Sequence, residues 1–200
     1  ADGGLPENAL TGTMLGGVQV ANDGISLEVP EAEGKLRLWR NTAVATLLPG
    51  QVATLGERVV GYEFDEDIDN GFRPAGLVRL SRTTTPVGQM IVGDNTYRGQ
   101  DVYPPGTATH SSTFYRAPSG ALVFGAGSVQ WSWGLDGVHD NGATTPDPRM
   151  RQAAVNLLAD MGVQPASLQA GLVAATASTD TTAPASVITS PSDGATLPAL

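Results

Sequence analysis

Hydrophobic and polar residues alternate along much of the first 130 residues, which is the pattern of strands with one buried face. The alternation is clearest at residues 25–29 (Ile-Ser-Leu-Glu-Val). It also predicts short strands at residues 17–20, 35–39 and 77–82, and a strand at 59–62 that leads into an acidic segment. The first part of the chain is therefore expected to be rich in β-structure.

A β-hairpin is predicted from residues 107–115 and 121–124, joined by the turn Ala-Pro-Ser-Gly at 117–120. Its second strand, Ala-Leu-Val-Phe, is apolar throughout, so we expect it to be fully buried. Residues 42–48 form another short apolar run, compatible with either a helical turn or a strand.

Towards the C-terminus the apolar spacing becomes helical. A helix is predicted from about Pro148 to Met161, with Asp147 as its N-cap and Gly162 just past its end. We expect the two leucines of its apolar stripe to pack on a sheet that contains residues 122–124. The stripe comprises Met150, Ala154, Leu157, Leu158 and Met161.

Composition supports one turn-rich domain, since the 200 residues include 25 glycines and 14 prolines and only 6% are aromatic. The formal net charge of −9, without a cluster of Lys or Arg, disfavours nucleic acids and anionic membrane surfaces as partners. No apolar run approaches 18 residues, so membrane insertion is not expected. Zero cysteines exclude disulfides and thiolate-ligated metals.

The last 30 residues differ in composition, which shifts to Ala, Thr and Ser beyond Gln169. We interpret residues 1–170 as the main domain, 171–186 as a linker, and 187–200 as the opening of an immunoglobulin-like module. Residues after about Thr176 are expected to be detached from the core. The chain is thus expected to be a piece of a larger protein.

The segment 63–69 concentrates negative charge, with five carboxylates in seven positions. If they fold together, some must be protonated, paired with Arg73, Arg79 or Arg82, or bound to a cation. Every second residue from 65 to 69 is an aspartate, as in a calcium loop. The glycine falls one place late, at Gly71, and Gly76 occupies the position of the bidentate glutamate. An EF-hand loop is therefore disfavoured, whereas a looser cation site stays open.

Other candidate motifs are weaker. Gly-Ala-Gly-Ser-Val at 125–129 lacks the third glycine of a dinucleotide-binding turn and the flanking glycines of a nucleophile elbow, so a close turn at a strand end is preferred. The only histidines are His110, for which a hydrogen-bonded structural role in a strand is slightly favoured, and His139, expected in a solvated loop. The three tryptophans lie in or beside apolar runs and are expected in the core or at its rim.

Several segments together resemble a known family. They are Pro-Glu-Asn-Ala-Leu-Thr-Gly at 6–12, Leu-Trp-Arg-Asn-Thr at 38–42, Gly-Tyr-Glu-Phe-Asp-Glu-Asp at 61–67, Ser-Gly-Ala-Leu-Val-Phe-Gly-Ala-Gly-Ser-Val-Gln-Trp at 119–131 and Arg-Gln-Ala-Ala-Val-Asn-Leu at 151–157. Over roughly residues 6 to 165 the chain is similar to the C-terminal portion of the N,N-dimethylformamidase β-subunit-like family. The resemblance implies an α/β fold, namely a partial class I glutamine amidotransferase-like core with a β-rich N-terminal part and one C-terminal helix. It also implies a secreted, multi-module actinobacterial-type protein, located outside the cell or on its surface.

The resemblance further implies hydrolysis of a small amide at an iron held by two tyrosines and a glutamate, all upstream of the region present here. This fragment should then contain no metal ligands and should act only with the upstream portion of the same chain. Two of its residues match the family's pattern as catalytic candidates, Glu63 as a proton-handling carboxylate and His110 more loosely. Phe64 departs from the aliphatic residue of the family pattern, and the acidic run is richer.

Two non-catalytic hypotheses stand beside the amidase. One is a ligand-binding or structural domain of a secreted multi-module protein. The other is a spacer stabilised by calcium at the acidic run.

Overall fold

The computed structural model describes residues 4–19, 24–91, 103–140 and 142–180, together with 182, 185–187, 189–191 and 194–196. The described strands are β1 Met14–Val18, β2 Ile25–Pro30, β3 Val52–Val60, β4 Glu63–Glu66, β5 Val78–Arg79, β6 Thr83–Val87, β7 Gln89–Met90, β8 Gly106–His110, β9 Thr113–Arg116 and β10 Leu122–Gly125. The α-helices are α1 Asn8–Thr11, α2 Glu31–Gly34 and α3 Pro148–Asp160, and 3₁₀ turns cover Arg37–Trp39, Ala43–Thr46 and Trp131–Gly134. None of these described helices is long and apolar enough to cross a membrane.

The strands form three sheets. The largest has the order β6-β8-β4-β1-β7, a second has the order β10-β9-β5, and β2 pairs with β3. Every pairing between described strands is antiparallel. The prediction of a β-rich part followed by one C-terminal helix is confirmed. An amidotransferase-like α/β core is not shown by these residues, because such cores are built on parallel strands flanked by helices.

The strand predictions have mixed outcomes. Residues 25–29 lie in β2 as expected, and the strand predicted near 17–20 begins earlier, as β1. The strand predicted at 35–39 is wrong, because this segment forms a 3₁₀ turn that buries the neighbours Leu38 and Trp39 together. The Trp39 indole N–H donates to the Leu80 carbonyl at 2.9 Å, which holds the turn against the core.

The hairpin prediction is partly confirmed. Strands β9 and β10 pair antiparallel around the expected turn. However, the segment at 107–115 divides at Ser111 and Ser112 into β8 and β9, which belong to different sheets. The expectation of a fully buried second strand is wrong, since three of the four residues of β10 are only partly buried. Residues 43–46 adopt the helical-turn alternative.

The hydrophobic core lies where β2, β3 and the centre of the large sheet meet α3. Close approach favours glycine at one point, because a Cβ on Gly134 would collide with the Met150 side chain unless that side chain shifted. The fully buried apolar side chains of this core include Leu27, Val29, Trp39, Val44, Leu55, Val59, Val60, Phe64 and Met150.

Helix α3 has the predicted caps. The Asp147 side chain accepts hydrogen bonds from the backbone N–H groups of Arg149 at 2.8 Å and Gly56 at 2.9 Å, so the cap also ties the helix to β3. Gly162 adopts the left-handed conformation at φ 83°, which ends the helix. The predicted start and end are therefore confirmed.

The predicted buried face of α3 is partly wrong. Met150 is buried and Leu157 is partly buried, but Leu158 is 43% exposed and Met161 is 40% exposed. The buried face contains two polar side chains instead, Gln152 and Asn156. Both are buried because they form hydrogen bonds inside the protein, so the apolar stripe alone misplaces the face.

Because Leu158 is 43% exposed, we expect Leu158→Ala to lower the free energy of unfolding by less than about 1 kcal/mol. Met150→Ala on the same helix is the matched comparison and should cost about 2–5 kcal/mol, because Met150 is fully buried. Urea denaturation of both variants measures the difference. Equal losses would contradict the burial of the two side chains.

The chain after α3 folds back along that helix. The Gln152 side chain exchanges two hydrogen bonds with the Val173 backbone, each at 2.8 Å. Ala175 is buried against Val155 and Ala159. Residues 177–180 are exposed. The predicted detachment beyond Thr176 stays a prediction, because residues 181, 183 and 184 lie outside the described part of the chain.

Candidate functional site

Strand β4 lies at the centre of the large sheet, between β1 and β8. It carries the predicted catalytic residue Glu63, which pairs with Val18 of β1. At its other end, Glu66 pairs with His110, the second predicted catalytic residue, in β8. The fold therefore brings both candidates to neighbouring strands.

The two candidates do not share a face of the sheet. The Phe64 ring is buried and meets the His110 ring edge-on, with centroids 6.1 Å apart. Side chains alternate along a strand, so Glu63 and Asp65 point away from the face that holds Phe64. Glu63 is partly exposed there, whereas His110 is fully buried.

His110 has a single side-chain hydrogen bond among the described residues. Its Nε2 lies 3.1 Å from the Ala126 carbonyl, which requires that Nε2 carries the proton of the neutral ring. Its Nδ1 is buried without a hydrogen-bond partner in the described part of the chain. Burial lowers the pKa of His110 to about 4. The ring is therefore neutral at pH 7.

Residues 125–129 form a close turn at the end of β10, as the sequence predicts. Gly127 has a left-handed backbone at φ 68° and lies directly against the His110 ring. The Ser128 hydroxyl donates to the Val59 carbonyl at 2.8 Å and accepts from the Gly61 N–H at 2.8 Å. The Ser128 hydroxyl therefore links the turn at 125–129 to the end of β3 and to Gly61.

Asp65, which the sequence suggested only as a possible cation ligand, is a further candidate for proton transfer. Burial raises the pKa of its carboxyl, while a hydrogen bond from Thr13 lowers it and the Glu7 charge raises it further. The Thr13 hydroxyl donates to Asp65 Oδ2 at 2.8 Å. The Asp65 backbone N–H donates to the Gly127 carbonyl at 2.7 Å, which fixes the strand position. A held carboxyl with a raised pKa is suited to proton transfer.

Of the other carboxylates in this run, Asp67 is bound by arginine, whereas Asp69 is exposed. Asp67 accepts two hydrogen bonds from Arg73, at 2.6 and 2.9 Å, and Arg79 lies 3.6 Å from it. Pairing with arginine, one of the alternatives left open, is therefore confirmed for Asp67. Arg82 pairs elsewhere, with Glu33 at 2.9 Å.

Among the described residues, no three His, Asp or Glu side chains converge as a set of metal ligands. Both Asp67 oxygens are occupied by guanidinium groups, and the Tyr115 hydroxyl donates to the Leu10 carbonyl at 2.6 Å.

His139 is packed rather than solvated, which corrects the prediction. Its ring stacks on Trp133 with centroids 4.0 Å apart, and its Nε2 lies 2.9 Å from the Thr144 hydroxyl oxygen. The Arg58 guanidinium lies 5.1 Å from the Trp133 ring centroid. The prediction that the tryptophans are core or rim residues is confirmed, since Trp39 and Trp133 are buried and Trp131 packs on Phe124.

These features define a class of structure: an antiparallel β-domain with a carboxylate-bearing central strand, closed by one capped C-terminal helix. The chain belongs to the N,N-dimethylformamidase beta subunit-like, C-terminal family, whose model matches residues 1–145. The predicted family is therefore confirmed. Helix α3 follows the matched region. No curated protein sequence matches the chain.

Proposed function

We propose that this domain is the C-terminal part of an amide hydrolase that cleaves a small amide C–N bond. In this proposal the upstream portion of the same chain supplies the metal centre and the amidotransferase-like core. Family membership supports the proposal. The observation that carries the domain's own role is the pair Glu63 and Asp65 on one face of β4, with the pKa of Asp65 raised by burial.

Amide hydrolysis needs a proton delivered to the leaving amine, because an amide anion is a poor leaving group. We assign this transfer to Glu63, whose side chain is partly exposed and can meet a substrate. Asp65, two residues along the same strand face, holds a proton at higher pH than an ordinary aspartate. It is therefore the second carboxyl that can supply a proton on this face.

We assign His110 a positioning role. The ring is fully buried, so it cannot touch a substrate in this arrangement. Its ring contacts the Phe64 ring edge-on, and Phe64 lies between Glu63 and Asp65 in β4. A neutral, packed imidazole therefore supports the strand that carries both carboxylates.

A non-catalytic ligand-binding or structural domain is the second candidate function. It is favoured by the structural use of the acidic run, since Glu66 accepts the Thr109 N–H at 2.5 Å and Asp67 pairs with Arg73. Carboxylates that are held by hydrogen bonds and ion pairs within the fold are not available to react with a substrate. This hypothesis predicts that Glu63→Gln leaves the amide turnover of the protein that includes the upstream portion unchanged.

The decisive experiment is the Glu63→Gln variant in the protein that includes the upstream portion. Turnover of small amides should fall by roughly 10²-fold, because the amide side chain cannot exchange the proton. Glu57→Gln is the matched control, an exposed glutamate in β3, and should keep full turnover. Iron content is measured on each preparation.

The other possible results distinguish between the roles of Glu63 and Asp65. Unchanged turnover removes Glu63 from catalysis, and loss of iron together with activity reassigns it as a ligand. A comparable loss only in Asp65→Asn moves the proton transfer to Asp65. The 200-residue chain alone is expected neither to hydrolyse amides nor to retain stoichiometric iron.

We also propose an extracellular or cell-surface location and a small-molecule substrate. The resemblance of residues 187–200 to the opening of an immunoglobulin-like module supports the location. The net charge of −9 supports a neutral or cationic small molecule over a polyanion.

A further inference from the structure

An apolar cavity of about 160 Å³ separates helix α3 from the three-stranded sheet. It is partly open, and the 40% exposed Val78 forms part of its wall. No residue of β4 lines it, so it is distinct from the carboxylate face. Its apolar walls are Leu36, Leu38, Val78, Leu80, Phe114 and Leu157.

The two charged residues at this cavity are paired with each other. Arg37 Nε lies 2.9 Å from Asp160 Oδ1, and the other Asp160 oxygen lies 2.9 Å from Arg40. The second donor group of Arg37 reaches the Thr176 carbonyl at 2.6 Å. A charged or strongly polar ligand would have to break these bonds before gaining new ones, which costs free energy.

We propose that this cavity binds one small, uncharged, apolar molecule of about the size of benzene. Apolar cavities of about 150 Å³ bind molecules of that size. A ligand here would fill the gap between the Leu157 and Phe114 side chains and restore dispersion contacts that an empty cavity lacks. Drug-sized ligands are excluded because their pockets measure about 300 Å³ or more.

The test is a titration of the 200-residue chain with benzene, followed by methyl NMR. The methyl signals of Leu38, Leu80 and Leu157 should shift and saturate with a dissociation constant on the order of 1 mM. Those of Leu27 and Leu55, core residues outside the cavity wall, should not move. Benzoate and benzylamine, the charged analogues, should bind at least tenfold more weakly.

Val78→Phe should fill the cavity and reduce benzene affinity at least tenfold. Val52→Phe is the matched control, because Val52 is a 51% exposed strand valine away from the cavity, and it should bind as the wild type does. The wild-type methyl shifts remain decisive if Val78→Phe fails to fold.

Three results would overturn the proposal. One is the absence of saturable shifts at the cavity methyls. Another is equal binding of benzene and benzoate. The last is contact between the cavity methyls and residues 181–200 in the ligand-free protein. Such contact would show that the chain's own C-terminal residues occupy the cavity.

Discussion

Asn156→Ala should lower the free energy of unfolding by about 3–5 kcal/mol. The Asn156 amide is fully buried and donates to two carbonyls, those of Leu38 at 2.7 Å and Arg40 at 2.6 Å. Its oxygen accepts from Gln152 at 3.0 Å. Truncation removes this partner from all three groups at a buried site, and it adds a cavity.

Urea denaturation measures this loss, with Leu158→Ala as the control on the same helix. Alanine at an exposed helical position should cost little, so the difference between the variants isolates the buried amide. A loss below about 1 kcal/mol for Asn156→Ala would show that water replaces the amide at both carbonyls.

Acidification should destabilise the protein through His110, by up to about 3 kcal/mol between pH 6.5 and pH 4. The folded-state pKa of about 4 lies below the ordinary value of 6.5. Between these values the unfolded chain binds a proton that the folded protein excludes, so stability falls as pH falls. The stability that neutral His110 contributes is retained above pH 6.5 and is lost by about pH 4.

Chemical denaturation across this pH range tests the His110 prediction. His110→Gln keeps a donor for the Ala126 carbonyl but has no titrating ring, so its stability should depend less steeply on pH. Wild-type and variant curves with the same slope would show that His110 is not the responsible group.

Asp65 provides an opposing control. Its pKa is raised by burial, so the folded protein takes up this proton at a higher pH than the unfolded chain does and gains stability on acidification. Asp65→Asn removes that gain. The loss of stability in acid should then be steeper in this variant than in the wild type.

Local signals made part of the fold predictable. Helix α3 was located from Asp147, Pro148 and Gly162, whose effects act within one turn of the helix ends. Strand β2 was located from strict alternation. Both signals come from residues that are close together in the sequence, so they can be recognised without knowing the fold.

Long-range partners account for what the sequence did not predict. Asn156 is buried because it binds a carbonyl 118 positions earlier, and Asp65 is held by a threonine 52 positions earlier. Alternation along β4 separates Glu63 from Phe64, but only the pairing of Glu66 with His110 reveals which side the histidine occupies. The sequence of β4 alone does not specify its register with β8.

The contact between Met150 and Gly134 has a consequence for where this domain can be cut. The family match stops at residue 145, before the first turn of α3. Yet Met150 and Ala153 are fully buried among core residues of the matched region, and Asp147 caps the helix while binding Gly56 of β3. A recombinant product trimmed at residue 145 would open this side of the core to water and invite aggregation. Helix α3 is therefore part of the same packed core as the family-matched region, although it lies beyond residue 145.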